Sequence, residues 1–199
     1  MKFGPTARLL GVALVAGALG VAVGVWRNGP NPLLHTELGQ RALQEALSAS
    51  APEPPAGLKI AERGAILPTF SVPALDGGAV TLPDAYAGRP VLVNVWASWC
   101  GPCVKEMPEL DRFARSQAAN GMQVVGIALD EPEAVRAFLR RVPVAYPVLV
   151  DAPGPGDAGV RLGNRKGVLP YSVLLDADGR VLKQKVGPFG EGEIEGWVR

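Results

Sequence analysis

The chain has 199 residues, 48% of them hydrophobic, with 20 Lys+Arg against 19 Asp+Glu and a formal net charge of +1. That length accommodates one domain with a sizeable core plus appendages. The near-neutral balance, with no basic stripe to neutralise phosphates, removes the electrostatic case for nucleic acid.

From Leu9 to Trp26 the chain reads LLGVALVAGALGVAVGVW, 18 residues without a charge. As a helix this run extends about 27 Å, close to the thickness of a bilayer's hydrocarbon core. Lys2 and Arg8 precede it, so the positive-inside rule leaves residues 1–8 in the cytoplasm and exports everything after the span. An uncleaved anchor at 9–26 is expected, because the run is longer than a usual signal core and Arg27 follows in place of a small-residue cleavage site. A protein secreted after signal cleavage is the alternative. Gly20 and Gly24 form a GxxxG step, but a Gly/Ala-rich span produces that spacing by chance, and the chain is read as monomeric. Thiols in an exported compartment tend to oxidise, so the placement of cysteines becomes informative.

Leu33 to Ser48 has mixed helical periodicity interrupted by Gly39, and Ala51 to Gly57, APEPPAG, is a semi-rigid proline-rich linker. Residues 27–59 are therefore read as a juxtamembrane segment and linker, and 60–199 as the folded domain. His35, outside that domain, is read as a surface residue. Pro68–Val72 and Ala79–Leu82 flank Asp76-Gly77-Gly78, which predicts a small β-hairpin. Pro90–Trp96, PVLVNVW, is a buried central strand. Pro102–Ala118 is a helix with Met107, Leu110, Phe113 and Ala114 on one face. Met122–Leu129 is a second buried strand, Pro132–Arg141 a proline-opened helix, and Tyr146–Val150 another strand. Gly154–Leu162 is irregular with one helical turn. Tyr171–Leu175 and Val181–Val186 are strands joined by the turn Asp176-Ala177-Asp178-Gly179, and Glu191–Val198 is a short closing helix. The order implies an α/β fold, a central mixed sheet flanked by helices and preceded by an N-terminal hairpin.

Both cysteines fall in Trp99-Cys100-Gly101-Pro102-Cys103, where a buried strand hands over to a helix. Ligands of α/β sheets bind at strand C-termini, so the place is privileged. Two cysteines and one remote histidine do not complete a tetrahedral zinc site, and Val104 stands where haem attachment would need histidine. A purely structural disulfide here would close a very short loop and constrain the unfolded chain weakly. Thiol–disulfide exchange needs one thiolate to attack and a second thiol to resolve the mixed disulfide, and this spacing supplies both. With a helix starting near Gly101, Cys100 lies where unpaired N–H groups and the dipole favour S⁻, and Cys103 lies one turn along, covered. Pro102 costs little in a first helical turn. Trp99 would shield the pair and offer partners an apolar surface.

Trp99-Cys100-Gly101-Pro102-Cys103, with Pro108 further along the helix, resembles the active-site motif of the thioredoxin family. VLVNVWASWCGPCVKEMPEL, the predicted anchor and the hairpin are similar to its exported TlpA/ResA/DsbE (CcmG) branch. The resemblance covers about Leu67 to Val186 and implies a thioredoxin-like fold with a redox-active disulfide as the only cofactor and no bound metal. It implies further that Pro170, in Gly167-Val168-Leu169-Pro170-Tyr171, is a cis-proline opposite the cysteines, with the backbone of Leu169 open to an extended substrate segment. Reduction of disulfides in periplasmic or other extracytoplasmic proteins, of the cytochrome c maturation or copper-oxidase assembly type, is the activity implied, with electrons from a transmembrane thiol reductant of the DsbD/CcdA type. Asn94 departs from the buried aspartate of cytosolic thioredoxins, and Gly101 from the glutamate that some branch members carry there. Glu106 is the nearest carboxylate on the active-site helix, and two readings of it stand: a group that modulates the thiols, or a solvated helix charge. Two further functions remain as alternatives, a peroxiredoxin-like thiol peroxidase and a metal-binding assembly module using the cysteine pair. Asp151 and Asp157 lack the spacing of a calcium loop.

Overall fold

A computed structural model describes residues 36–49, 51, 53–117 and 121–199. The predicted span at 9–26, its GxxxG step and His35 lie outside the described residues. Among the described residues no helix is long and apolar enough to cross a membrane. Helix α1 (Glu37–Ala49) begins after Thr36, whose Oγ1 accepts from Gly39 N at 3.0 Å, an N-terminal cap. Residues Gln44–Arg199 form one compact unit, and the architecture below is that of this unit.

Strands β1 (Phe70–Pro73) and β2 (Ala79–Leu82) pair antiparallel with Phe70 opposite Leu82. A 3-10 turn at Asp84–Tyr86 leads to β3 (Val91–Trp96), and α2 (Gly101–Ser116) follows. Next come β4 (Gln123–Leu129), α3 (Pro132–Leu139), β5 (Val148–Asp151), α4 (Ala158–Arg161), β6 (Tyr171–Leu175), β7 (Val181–Val186) and α5 (Glu193–Trp197). The main sheet has the order β5-β4-β3-β6-β7. β3 runs parallel to β4 and antiparallel to β6, β4 and β5 are parallel, and β6 and β7 are antiparallel. The expected mixed sheet is therefore present.

All six residues of β3 are buried, which is why the strand reads as a continuous apolar run with one polar interruption, Asn94. Each edge strand is met at one end by the chain that precedes the sheet. Ala74 bridges to Leu149 on β5, and Leu75 N donates to Val148 O; at the other edge Gly64 N donates to Val181 O and Val181 N to Ala65 O. Covering part of an edge strand shortens the unpaired template it offers for aggregation. At the β6–β7 turn, Gly179 adopts φ +78, and a Cβ there would lie 2.6 Å from Pro83 Cγ, so both backbone and space require glycine.

Alternate residues of β3 share a face, and on the α2 side these are Leu92, Asn94 and Trp96. Leu92 belongs to an apolar cluster with Leu110, Phe113, Val124, Tyr146, Phe189 and Ile194. Trp96 belongs to another with both cysteines, Met107, Val135 and Phe138. Asn94 lies between the two, in a polar seam through the core. α2 supplies the matching face, with Cys103, Glu106, Met107, Leu110 and Phe113 buried at helical spacing.

Candidate active site

α2 begins at the cysteines because its N-terminal amides need partners and this sequence provides them. Cys100 occupies the N-cap with extended backbone (φ −83, ψ 98), and its Sγ accepts from Cys103 N at 3.3 Å. Gly101 and Pro102 form the exposed first turn, where a missing N–H leaves nothing unsatisfied. Pro108 lies further along on the exposed side of the helix. Cys100 and Cys103 are joined in a disulfide, and both sulfur-bearing residues are buried against Trp96, Ala97 and Met107. Trp99, by contrast, is 70% exposed. It offers apolar surface beside the disulfide and does not cover it.

Two loops frame the pair. The one before the cysteines is held by Asp130, at the end of β4, whose Oδ2 accepts from both the backbone N and the Oγ of Ser98. The other carries Leu169 and Pro170, joined by a cis peptide bond. Leu169 packs against the cysteine-containing cluster. Among the described residues neither its amide nor its carbonyl has a backbone partner. The buried Asn164 fixes this loop from behind, donating from Nδ2 to Val168 O at 2.9 Å and accepting from Val168 N at 3.0 Å.

Glu106 is not a solvated helix charge. It is 2% exposed and points into the polar seam. Oε1 accepts from Asn94 Nδ2 at 2.8 Å, and Oε2 accepts from Phe189 N at 2.8 Å. Asn94 Nδ2 also donates to Ser172 Oγ at 3.0 Å, its register partner on β6. Burial pushes the Glu106 carboxyl from 4.5 up to about 7, outweighing the Phe189 amide, the Asn94 amide and the Lys185 charge, which all favour the carboxylate; Glu193 adds to the rise. A carboxyl with a midpoint near neutrality both accepts and returns protons at physiological pH. It lies three residues beyond Cys103 on the same helix face. The buried carboxyl absent at position 94 is thus supplied from α2, with Asn94 as its hydrogen-bond donor.

The seam holds further polar groups. Lys185 on β7, the register partner of Ser172, is 1% exposed and pairs with Glu193 at 2.9 Å. Tyr146 is buried near Glu106; burial, with the Glu106 and Asp111 charges, holds its hydroxyl well above the usual tyrosine range. Asn94 Oδ1, Trp96 Nε1 and Tyr146 OH have no partner among the described residues. Of the residues singled out from sequence, Cys100, Cys103, Trp99, Gly101, Pro102 and Glu106 lie on or beside the start of α2, and Leu169 and Pro170 on the facing loop; Asp130, Asn164, Ser172, Lys185 and Glu193 are not among them. The one sequence signal for the seam is polar Asn94 and Ser172 interrupting apolar strand runs. Among the described residues no group of three or more His, Cys, Asp or Glu residues is arranged to hold a metal ion.

Comparisons with known proteins cover the same stretch of chain. The profile of the Redoxin family matches residues 62–196. The thiol-disulfide oxidoreductase ResA of Bacillus thuringiensis is 32% identical over 135 residues, covering 66% of this chain and 74% of that protein. The thioredoxin-like protein YneN of Bacillus subtilis is 30% identical over 138 residues, 67% of this chain and 77% of that one. Among solved structures, a candidate thiol:disulfide interchange protein DsbE from Chlorobium tepidum matches with a TM-score of 0.58 and 31% identity, over 70% of this chain and 99% of that one.

Proposed function

The chain belongs to the Redoxin family and is a thiol–disulfide oxidoreductase, and from that premise we propose that it reduces protein disulfides by a dithiol mechanism. The observation that carries this reading is the Cys100–Cys103 disulfide at the start of α2, with the Cys100 sulfur in the N-cap. Once the pair is reduced, that position favours S⁻ on Cys100 through the helix dipole and the Cys103 amide.

Cys100 S⁻ attacks one sulfur of the substrate disulfide; the enzyme–substrate S–S bond forms, the substrate S–S bond breaks, and one substrate thiolate leaves. Cys103 then gives up its proton, with Glu106 as acceptor. Its thiolate attacks Cys100 Sγ, re-forming the enzyme disulfide and releasing the second substrate thiolate. The substrate gains two electrons and the enzyme loses two, so a thiol reductant must restore Cys100 and Cys103. Trp99, Gly101 and Pro102 form the docking rim, and Leu169 pairs through its open backbone groups with an extended substrate segment beside Pro170. This chemistry needs no cofactor beyond the cysteine pair.

In the same reading residues 9–26 anchor the protein in the cytoplasmic membrane, 27–59 act as a tether, and 60–199 work outside the cytoplasm. The uncharged run at 9–26 and the preceding Lys2 and Arg8 support this. The substrates are then exported proteins of the cytochrome c maturation or copper-oxidase assembly type, and the reductant a transmembrane thiol protein of the DsbD/CcdA type. Insulin reduction tests the core of the proposal. Cys100→Ser abolishes turnover, whereas Cys103→Ser accumulates a mixed disulfide visible by mass; full turnover by Cys103→Ser would overturn the assigned roles.

A further inference from the structure

The loop after β7 brings two carboxylates together. Phe189 N donates to Glu106 Oε2 at 2.8 Å, and the next amide, Gly190 N, donates to Glu193 Oε2 at 2.7 Å. Consecutive Cα atoms are about 3.8 Å apart, so the two accepting oxygens lie no more than about 9 Å apart, close enough for the charges to interact in a buried site. Among the described residues a buried lysine accompanies them. Lys185 Nζ lies 2.9 Å from Glu193 Oε1 and 5.3 Å from the centroid of the Phe189 ring. Lys185 is thus ion-paired with Glu193. Among the described residues Glu106 has two neutral N–H donors and no ion pair within salt-bridge distance.

We propose that the Lys185–Glu193 ion pair is a tuning element that sets the protonation of Glu106, Glu193 keeping Glu106 ready to take a proton by offsetting the charge of Lys185. In this reading both act on the site through Glu106. A buried carboxylate needs pairing or strong hydrogen bonds to stay ionised. Removing Glu193 would free Lys185 to supply that pairing, and removing Lys185 would leave Glu106 facing a second negative charge. The other titratable groups toward Glu106 are Tyr146 OH from the segment before β5, Cys103 on its own helix and Glu109, which accepts from Gly192 N and pairs with Arg112. Tyr146 carries no charge at neutral pH, and Glu109 is ion-paired with Arg112. The direction of each Coulombic contribution agrees: Lys185 lowers the Glu106 midpoint and Glu193 raises it.

The functional weight of this inference rests on Glu106 being the proton acceptor, but its test does not. The Glu106 carboxyl is titrated by 13C NMR in the oxidised, full-length protein labelled at glutamate, with Glu106→Gln assigning the resonance. Lys185→Met is expected to raise the midpoint by about one pH unit and Glu193→Gln to lower it by a similar amount. Lys185→Arg, which keeps the charge, should stay near the wild-type midpoint. The double variant Lys185→Met/Glu193→Gln should also return close to it. Where Lys185→Met fails to fold, Glu193→Gln and Lys185→Arg carry the test alone. Shifts of the same sign, or no shift with Glu193→Gln, would overturn the inference, because loss of structure alone does not produce opposite signs. Should the carboxyl move as stated while the pH profile of insulin reduction does not follow, the tuning stands and the proton role of Glu106 is what fails.

Discussion

Replacing Glu106 by glutamine isolates the cost of keeping a carboxyl buried in the polar seam. In the folded protein its midpoint is pushed up to about 7, whereas the ordinary value is 4.5. The folded state therefore binds more protons than the unfolded state between those values. The native environment costs nothing below pH 4.5 and becomes progressively destabilising as pH rises through 7. Linkage over that interval gives about 2–3 kcal/mol lost between pH 5 and pH 8. Glutamine keeps the shape and does not titrate. Its oxygen accepts from Phe189 N, and its amide donates to Asn94 Oδ1, which has no partner among the described residues, once the Asn94 amide turns over. Urea denaturation of the oxidised forms at several pH values measures the effect, since the disulfide removes both cysteines from the titration. The stability difference, wild type minus Glu106→Gln, should fall by about 2–3 kcal/mol from pH 5 to pH 8. Parallel stability curves would refute the claim that Glu106 is protonated near neutrality.

Two other substitutions probe the frame around the cysteines. A Cβ at Gly126 would lie 3.0 Å from Tyr146 Cε2 and 3.1 Å from Trp96 Nε1, so Gly126→Ala should destabilise by about 1–3 kcal/mol in urea denaturation; an unchanged midpoint would mean that the rings are not packed over the glycine. Asn164→Ala removes both contacts to Val168 and should slow insulin reduction more than reduction of a small aromatic disulfide at matched folded concentration, because only the protein substrate needs the Leu169 edge. Equal slowing would show that the loop's geometry does not matter to substrate pairing.

Much of the fold was legible because its elements repeat simple patterns. The β3 run, the face of α2 and the Asp176–Gly179 turn all lie where periodicity and turn chemistry put them. The boundaries moved for tertiary reasons. β1 starts at Phe70 and not at Pro68, because the chain before it serves the opposite sheet edge, with Leu67 N bonded to Gly179 O and Ile66 bridging Arg180. β5 starts at Val148, since the ring of Tyr146 turns inward over Gly126. α3 ends at Leu139, after which Arg141 N and Val142 N both close onto Phe138 O.

The cysteine motif is local, so its placement at a strand-to-helix junction could be read from neighbouring residues. The seam behind it could not. Asn94, Ser172 and Lys185 become neighbours only through the registers of three strands, and Glu106 reaches Phe189 across a long sequence separation. A single-sequence reading has no access to such registers, which is why Glu106 stood between two roles until its burial was known. Lys185 looks like an ordinary surface lysine in VLKQKV, and nothing in the spacing ties it to Glu193.

The claim on which the proposed mechanism depends is that the N-cap position makes Cys100 the attacking thiolate. Alkylation of the reduced protein across pH, resolved by peptide mapping, tests it most directly. The account predicts that Cys100 reacts first, with a midpoint below the free-thiol value of about 8.5, and that Cys103, at 0% exposure against 6% for Cys100, lags behind it. A Cys100 midpoint at or above that value, or Cys103 reacting first, would contradict it.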